Sequence, residues 1–238
     1  MNLLINGICG KMGKTVKERA AFFGFNKVFG VDINEIDNQY TYPSFDMVKE
    51  KADVIIDFSA PSAIYDLYEF ELRNKIPLVI CTTGYNEQQE NKIAYLSGII
   101  PVLKCPNTSF GINILLKTLN QLSPQIKNAD IDIIEFHHKA KKDSPSGTAL
   151  KIAETLKTNE RKNVLVNSAV RTQNDICIHS VRSGDIIGEH EIIISLDNET
   201  ITITHSAHSK RIFADGALRA AKLIIGKPPN LYSMQELV

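Results

Sequence analysis

Short apolar runs alternate with stretches of helical periodicity through the first hundred residues. Residues 3–5, 28–33, 53–58, 76–81 and 99–104 are nearly continuous in apolar side chains. Between them, residues 14–23, 62–73 and 86–97 repeat apolar positions at helical spacing. Strands that are apolar on both faces belong in a parallel sheet covered on both sides. The order predicts an α/β fold built on a Rossmann-like, doubly wound parallel sheet.

The pattern changes after Cys105-Pro106-Asn107. A long apolar helix is predicted over 110–122, a strand over 130–136 and a helix over 147–156. Three further strands, 176–181, 189–196 and 200–205, read as neighbours, with a hairpin turn at Asp197-Asn198 between the last two. Apolar and polar residues alternate in 201–205, as in a sheet with one covered face. The alanine-rich helix predicted over 213–225 is suited to close packing on the first sheet. Two domains follow: 1–107 completed by 213–238, and an α+β domain with a mixed sheet over 108–212.

The first turn carries chemistry. Gly7-Ile8-Cys9-Gly10-Lys11-Met12-Gly13 lies between the first strand and the first helix. Glycines there give a tight turn, let the backbone approach a pyrophosphate, and bring helix and strand together. The helix start offers N–H groups and partial positive charge to phosphate. Asp32 closes the second strand, where a carboxylate accepts hydrogen bonds from an adenosine ribose. A purely structural glycine turn has the same local sequence, but strand, glycines, helix and acid fall in the order of a dinucleotide site. Asp32 repels a ribose 2′-phosphate and no Arg follows it, so NADH is expected ahead of NADPH. Cys81-Thr82-Thr83-Gly84 and Cys105-Pro106-Asn107-Thr108 follow later strands at their carboxyl ends, where open α/β sheets bind ligands.

The richest stretch runs from Glu135 to Thr148. A strand delivers His137 and His138 into a loop with Lys139, Lys141 and Lys142, and Ser146-Gly147-Thr148 opens a helix. A helix start with hydroxyls is a carboxylate site. Lysines add counter-charge, and a histidine supplies a proton near neutral pH. Together they fit a small dicarboxylate that is protonated at one atom. A solvated basic loop with a capping serine is the plainer alternative.

Charge narrows the partners. Lys+Arg and Asp+Glu both number 27, so net charge is zero. A nucleic-acid binder carries a basic excess, and an anionic membrane attracts one, so neither partner is expected. No apolar run reaches the roughly 18 residues of a membrane span. The N-terminus has no signal-peptide pattern. Cys9, Cys81, Cys105 and Cys177 form no CxxC pair and are expected as free thiols in a reducing cytoplasm. His179 and His190 lie in neighbouring strand candidates, and His205 and His208 are three apart, which on a strand turns them to opposite faces and is poor ligand spacing. No metal is expected.

The stretch His137 to Thr148, read as HHxxKxDxPSGT, resembles the signature of 4-hydroxy-tetrahydrodipicolinate reductase (dihydrodipicolinate reductase), a family of lysine synthesis. The opening glycine turn, Asp57-Phe58-Ser59, Thr82-Thr83-Gly84, Asn107-Thr108-Ser109-Phe110-Gly111, Arg182-Ser183-Gly184-Asp185, Gly188-Glu189-His190 and Arg211 to Ala217 fall in the same order, so the resemblance spans nearly the whole chain. It implies NAD(P)H-dependent reduction of 4-hydroxy-tetrahydrodipicolinate with loss of water. His137 matches the proton donor and Lys141 a second catalytic cation. His138, Ser146, Gly147, Thr148 and Thr83 match the substrate contacts. Gly7, Ile8, Cys9, Gly10, Lys11, Met12, Asp32, Cys81, Thr82, Thr83, Cys105, Pro106, Asn107 and Thr108 match the cofactor contacts. A homotetramer, formed through the second domain's sheet, is also implied.

Overall fold

The computed structural model describes residues 1–34, 40–158, 163–168, 170–172 and 175–237. Its first elements are β1 (Asn2–Asn6), α1 (Lys11–Arg19), β2 (Lys27–Val31), β3 (Thr41–Tyr42), β4 (Val54–Asp57), α2 (Ile64–Asn74), β5 (Leu78–Ile80), α3 (Glu87–Ser97) and β6 (Pro101–Lys104). After these come α4 (Phe110–Leu122), β7 (Asp130–His137), α5 (Gly147–Leu156), β8 (Asn163–Val166), β9 (Asp175–Arg182), β10 (Glu189–Ser195) and β11 (Thr200–Ser206). The chain closes with α6 (Arg211–Ile224), β12 (Asn230–Tyr232) and α7 (Met234–Leu237). Contacts gather these into two units, Met1–Phe110 with Arg211–Val238, and Gly111–Lys210.

The first unit is a seven-stranded parallel sheet in the order β12-β6-β5-β4-β1-β2-β3. Strand order reverses between β1 and β4, the switch point of a Rossmann-like sheet. Alternate residues of each strand feed two cores. Leu3, Ile5, Val54, Ile56, Val79 and Leu103 pack with Val16 of α1 and with the alanines 214, 217, 220 and 221 of α6. Leu4, Phe29, Ile55, Leu78, Ile80 and Val102 pack with Leu67 and Phe70 of α2 and with Ile93 and Leu96 of α3. Burial on both faces explains why these strands read as unbroken apolar runs. Helix α3 begins with a capping box: Asn86 accepts the Gln89 N–H, and the Gln89 side chain accepts the Asn86 N–H.

The second unit is a mixed sheet in the order β11-β10-β7-β9-β8. Strand β7 pairs parallel with β9 and antiparallel with β10. The sequence expectation that 176–181 and 189–196 lie side by side is therefore corrected, because β7 separates them. This strand has apolar positions with partners on both sides, which places it centrally. The β10–β11 hairpin closes through Leu196 and Glu199, as the Asp197-Asn198 turn predicts. One face carries Ile131, Ile133, Ile176, Ile178, Ile192 and Ile194 under α4 and α5. Strands β3, β8 and β12 were not expected. Each lies at a sheet edge and is two to four residues long, too short to show a period.

Candidate active site

At the carboxyl end of the first sheet, the glycine turn is shaped by contact. Gly7 has φ +82° and lies against the end of β4, where a Cβ would stand 2.6 Å from the Phe58 carbonyl oxygen. At Gly13, a Cβ would stand 2.1 Å from the Gly7 carbonyl oxygen, so only glycine lets α1 start this close to β1. Gly10 is the N-cap of α1, with no side chain capping the helix. The result is a bare backbone turn at an uncapped helix start, which fits a pyrophosphate. Ile8 turns its side chain into the core. Gly10 and Lys11 are exposed, and Cys9 and Met12 half-buried. Asp32 is buried. It accepts the Cys9 N–H at 2.9 Å and the Asn34 N–H at 3.0 Å, one on each oxygen.

Next to this turn lies a polar group built on the Asp57-Phe58-Ser59 stretch, to which the sequence assigns no individual role. Asp57, at the end of β4, is buried and accepts Asn6 Nδ2 at 2.8 Å, the Ser59 hydroxyl, and the Tyr85 hydroxyl at 3.0 Å. Burial pushes its carboxyl up from the usual range, against those donors. Thr82 is buried with its hydroxyl toward the Asp57 carbonyl, whereas Thr83 is exposed. The Cys81 and Cys105 thiols are buried, and burial pushes the Cys81 thiol well up. Pro106 is exposed, and Asn107 accepts the Ser109 N–H at 3.0 Å. The Thr108 hydroxyl donates to the Phe213 carbonyl at 2.7 Å, so its side chain ties the loop to α6 and leaves the backbone for any ligand contact.

In the second unit, alternation along β7 sets Ile131, Ile133, Glu135 and His137 on the buried face. The isoleucines continue into the core, and the last two residues form the polar end. His137 Nδ1 lies 2.6 Å from Glu135 Oε2. The His190 ring stands edge-on to it, centroids 5.3 Å apart. Burial lowers the His137 imidazole, Glu135 opposes this, and Lys141 and Arg182 add to it; the net direction is down. Burial, with His137 next, takes His190 down to about 4. His138 is half-buried at the strand's end.

The loop beyond β7 is held at two points. Lys141 Nζ reaches both carboxylate oxygens of Asp143 at 2.8 Å. Arg182 donates to the Asp143 carbonyl at 2.7 Å. Ser146 then caps α5 through its hydroxyl, which accepts the Ala149 N–H at 3.1 Å and lies 3.2 Å from His190 Nε2. The Ser146 side chain is thus committed inward. Gly147 is exposed and Thr148 half-buried at the helix start. From the sequence, His190 reads as a polar strand residue or inter-strand hydrogen-bond partner and Arg182 as a loop or subunit contact, while Glu135 and Ser180 have no distinct role. The available signal was an acid in the buried phase of an otherwise apolar strand. Donor atoms of Glu135, His137 and His190 lie within 4.8 Å of one another, a spacing a metal could use. Arg182 already shares the charge of that carboxylate.

A doubly wound sheet with a bare glycine turn at its first strand, joined in one chain to a unit that buries an imidazole beside a helix start, defines a dinucleotide-dependent oxidoreductase. Models of the dihydrodipicolinate reductase N-terminus and C-terminus match residues 1–108 and 111–238. The chain is 42% identical over its full length to a 4-hydroxy-tetrahydrodipicolinate reductase of Caldanaerobacter subterraneus subsp. tengcongensis, covering 98% of that protein. It is 39% identical to the enzyme of the same name from Clostridium novyi, over 99% of this chain and 97% of that one. The fold matches the dipicolinate-bound dihydrodipicolinate reductase of Paenisporosarcina sp. TG-14 with TM-score 0.82 at 21% identity, over 100% and 99% of the two chains. The chain belongs to the dihydrodipicolinate reductase family.

Proposed function

We propose that the chain reduces 4-hydroxy-tetrahydrodipicolinate to tetrahydrodipicolinate with loss of water, in lysine and diaminopimelate synthesis, with His137 as proton donor and Lys141 as a carboxylate-binding cation. Family membership supports the reaction. One observation carries the residue roles: a buried imidazole, an ammonium that acts on it, and a helix start occur together in a single unit.

The reduced nicotinamide, when bound, supplies a hydride. In the first unit, Gly7, Ile8, Cys9, Gly10, Lys11 and Met12 would hold the pyrophosphate with backbone groups. Asp32 keeps lone pairs for ribose hydroxyls beyond those used by Cys9 and Asn34. Its charge opposes a 2′-phosphate, so NADH is the preferred donor. Cys81, Thr82, Thr83, Cys105, Pro106, Asn107 and Thr108 line the strand ends next along the sheet and serve the nicotinamide half.

In the second unit, the start of α5 at Gly147 and Thr148, with His138, takes one carboxylate, and Lys141 takes the other. His137 is neutral near pH 7 because burial and two cations depress it. A doubly anionic substrate reverses that field and draws a proton onto the ring. His137 then delivers it to the carbon beside the reduced one. No step needs a metal. The sheet face opposite α4 and α5 shows half-buried Ile134, Phe136, Val181 and Ile193, which supports assembly into a homotetramer through that face. Four free cysteines support a cytoplasmic setting.

The test is NADH oxidation with substrate formed in situ from pyruvate and aspartate semialdehyde. His137→Gln is expected to lower kcat by roughly 10²–10⁴-fold. Near-normal turnover in that variant would sink the assignment.

A further inference from the structure

The inner face of the second sheet is built in rows. Register sets Ile176, Ile131 and Ile194 side by side, then Ile178, Ile133 and Ile192. The next row is Ser180, Glu135 and His190, and beyond it Arg182 pairs with His137. Glu135 therefore occupies a position that is isoleucine twice over earlier in the same strand, and its side chain has no solvent exposure. Removing a carboxylate from water costs several kcal/mol unless partners compensate it. Here they do. Oε1 accepts the Ser146 N–H at 3.0 Å, the Ser180 hydroxyl at 2.8 Å and Arg182 at 2.8 Å.

The other oxygen faces the imidazole. Oε2 stands 2.6 Å from His137 Nδ1, off the axis of a hydrogen bond, and neither atom has another partner among the described residues. Two bare lone pairs do not sit that close in a buried site, so a proton lies on one of the two atoms. Burial raises the Glu135 carboxyl, but Arg182, Ser180 and Ser146 outweigh it and hold the group ionised, at about 2. The proton is therefore on His137 Nδ1.

We propose that Glu135 is a positioning residue for the proton donor: it fixes the His137 proton on Nδ1, so that Nε2 is the nitrogen that picks up and delivers the transferred proton. This rests on the reading of His137 as that donor. The surroundings of Nε2 agree. Residue 188 has no side chain; a Cβ there would stand 3.1 Å from Nε2. The charged and titratable groups acting on the ring are Glu135 on its own strand, Arg182 on β9, His190 on β10 and Lys141 in the following loop. His190 is neutral above about pH 4 and does not compete for the proton. The same carboxylate, through Ser146 and Arg182, also holds the start of α5 and the Lys141 loop.

The experiment compares Glu135→Gln with His137→Gln, reading kcat, KM and the pH profile of kcat. Glu135→Gln keeps the size and removes the charge. A roughly 10- to 100-fold fall in kcat is expected, with KM for the dicarboxylate changed far less. The alkaline limb of kcat should move to lower pH, because the imidazolium loses its anion. Glu135→Asp, which restores the charge, should recover part of kcat and move the limb back. Full turnover in His137→Gln overturns the donor reading itself. A slow His137→Gln beside an unimpaired Glu135→Gln, or a slow Glu135→Gln with an unmoved pH profile, overturns only the role of Glu135. Should Glu135→Gln not fold, ring-nitrogen NMR of the intact enzyme decides. The His137 signals, assigned by their loss in His137→Gln, should show the Nδ1–H form at pH 8, and an Nε2–H form would overturn the proposal.

Discussion

Asp32 accepts the backbone N–H of Cys9 at 2.9 Å, tying the acid that follows the second strand into the glycine turn that follows the first. One side chain thus braces the glycine turn and, in the proposed site, would also meet the ribose. Asp32→Ala should raise KM for NADH by about tenfold or more, the usual effect of losing hydrogen bonds to a charged group. KM for NADPH should change less, since repulsion of its 2′-phosphate disappears as well. Steady-state KM values for both nucleotides check this, and an unchanged NADH-to-NADPH ratio would speak against the role of Asp32 in discrimination.

Close approach at Gly13 makes a separate prediction. A Cβ there would stand 2.1 Å from the Gly7 carbonyl oxygen and 2.7 Å from the Ile8 Cα, and both are backbone atoms that cannot turn aside. Gly13→Ala should push α1 off β1 and cost about 1–3 kcal/mol, as overpacking commonly does. A urea unfolding midpoint measures the cost. Weaker NADH binding in the same variant would link the packing to the turn.

Glu71, fully buried at the end of α2, accepts the Ile76 N–H at 2.8 Å through one oxygen, while the other has no hydrogen-bond partner among the described residues. Burial outweighs that one bond and raises its carboxyl from 4.5 to about 8. The folded chain therefore holds the proton more tightly than the unfolded chain. Stability from this group is fully present below pH 4.5 and is lost as pH rises through about 8. The loss should amount to a few kcal/mol. Glu71→Gln should flatten this decline, so its advantage over the parent grows between pH 5 and 9 in urea unfolding. A constant difference across that range would show that Glu71 does not titrate there.

Lys141 is held by Asp143, whose side chain is 59% exposed. A pair so open contributes about 1 kcal/mol or less to stability. Asp143→Ala should leave the melting temperature nearly unchanged. Lys141→Ala should raise KM for the dicarboxylate and lower kcat, because one carboxylate loses its counter-charge. Steady-state kinetics and binding of pyridine-2,6-dicarboxylate follow both effects. Unaltered kinetics in Lys141→Ala would remove it from the site.

Much of the architecture was legible because burial leaves a mark on sequence. Strands β1, β4 and β6 are covered on both faces, so their interior residues are apolar and polar ones fall at the strand ends. Helices α4 and α5 begin and end where the periodicity predicts. The edge strands β3 and β12 have a neighbour on one side only, and so carry no such mark. The candidate site was legible where residue type alone suggests chemistry, as in His137, Lys141 and the glycine turn. It was not legible where the arrangement of the candidate site rests on a cross-strand partner. Nothing local tells that Ser180 and His190 flank Glu135, since that follows from a register set by the whole sheet. Thr108 and Ser146 show the converse. Their hydroxyls suit a ligand on paper, yet one is spent on Phe213 and the other on capping α5.

Helix α6 has a consequence for how the protein is made. Its alanines cover Val79 and Leu103, and β12 completes the edge beside β6. Both are translated after the entire second unit. On the ribosome, the first unit thus waits with one apolar wall bare, while the described core residues of 111–210 pack among themselves. Nascent chains stalled before residue 211 should therefore be aggregation-prone and protease-sensitive in their leading half, and become resistant only once the final helix has emerged.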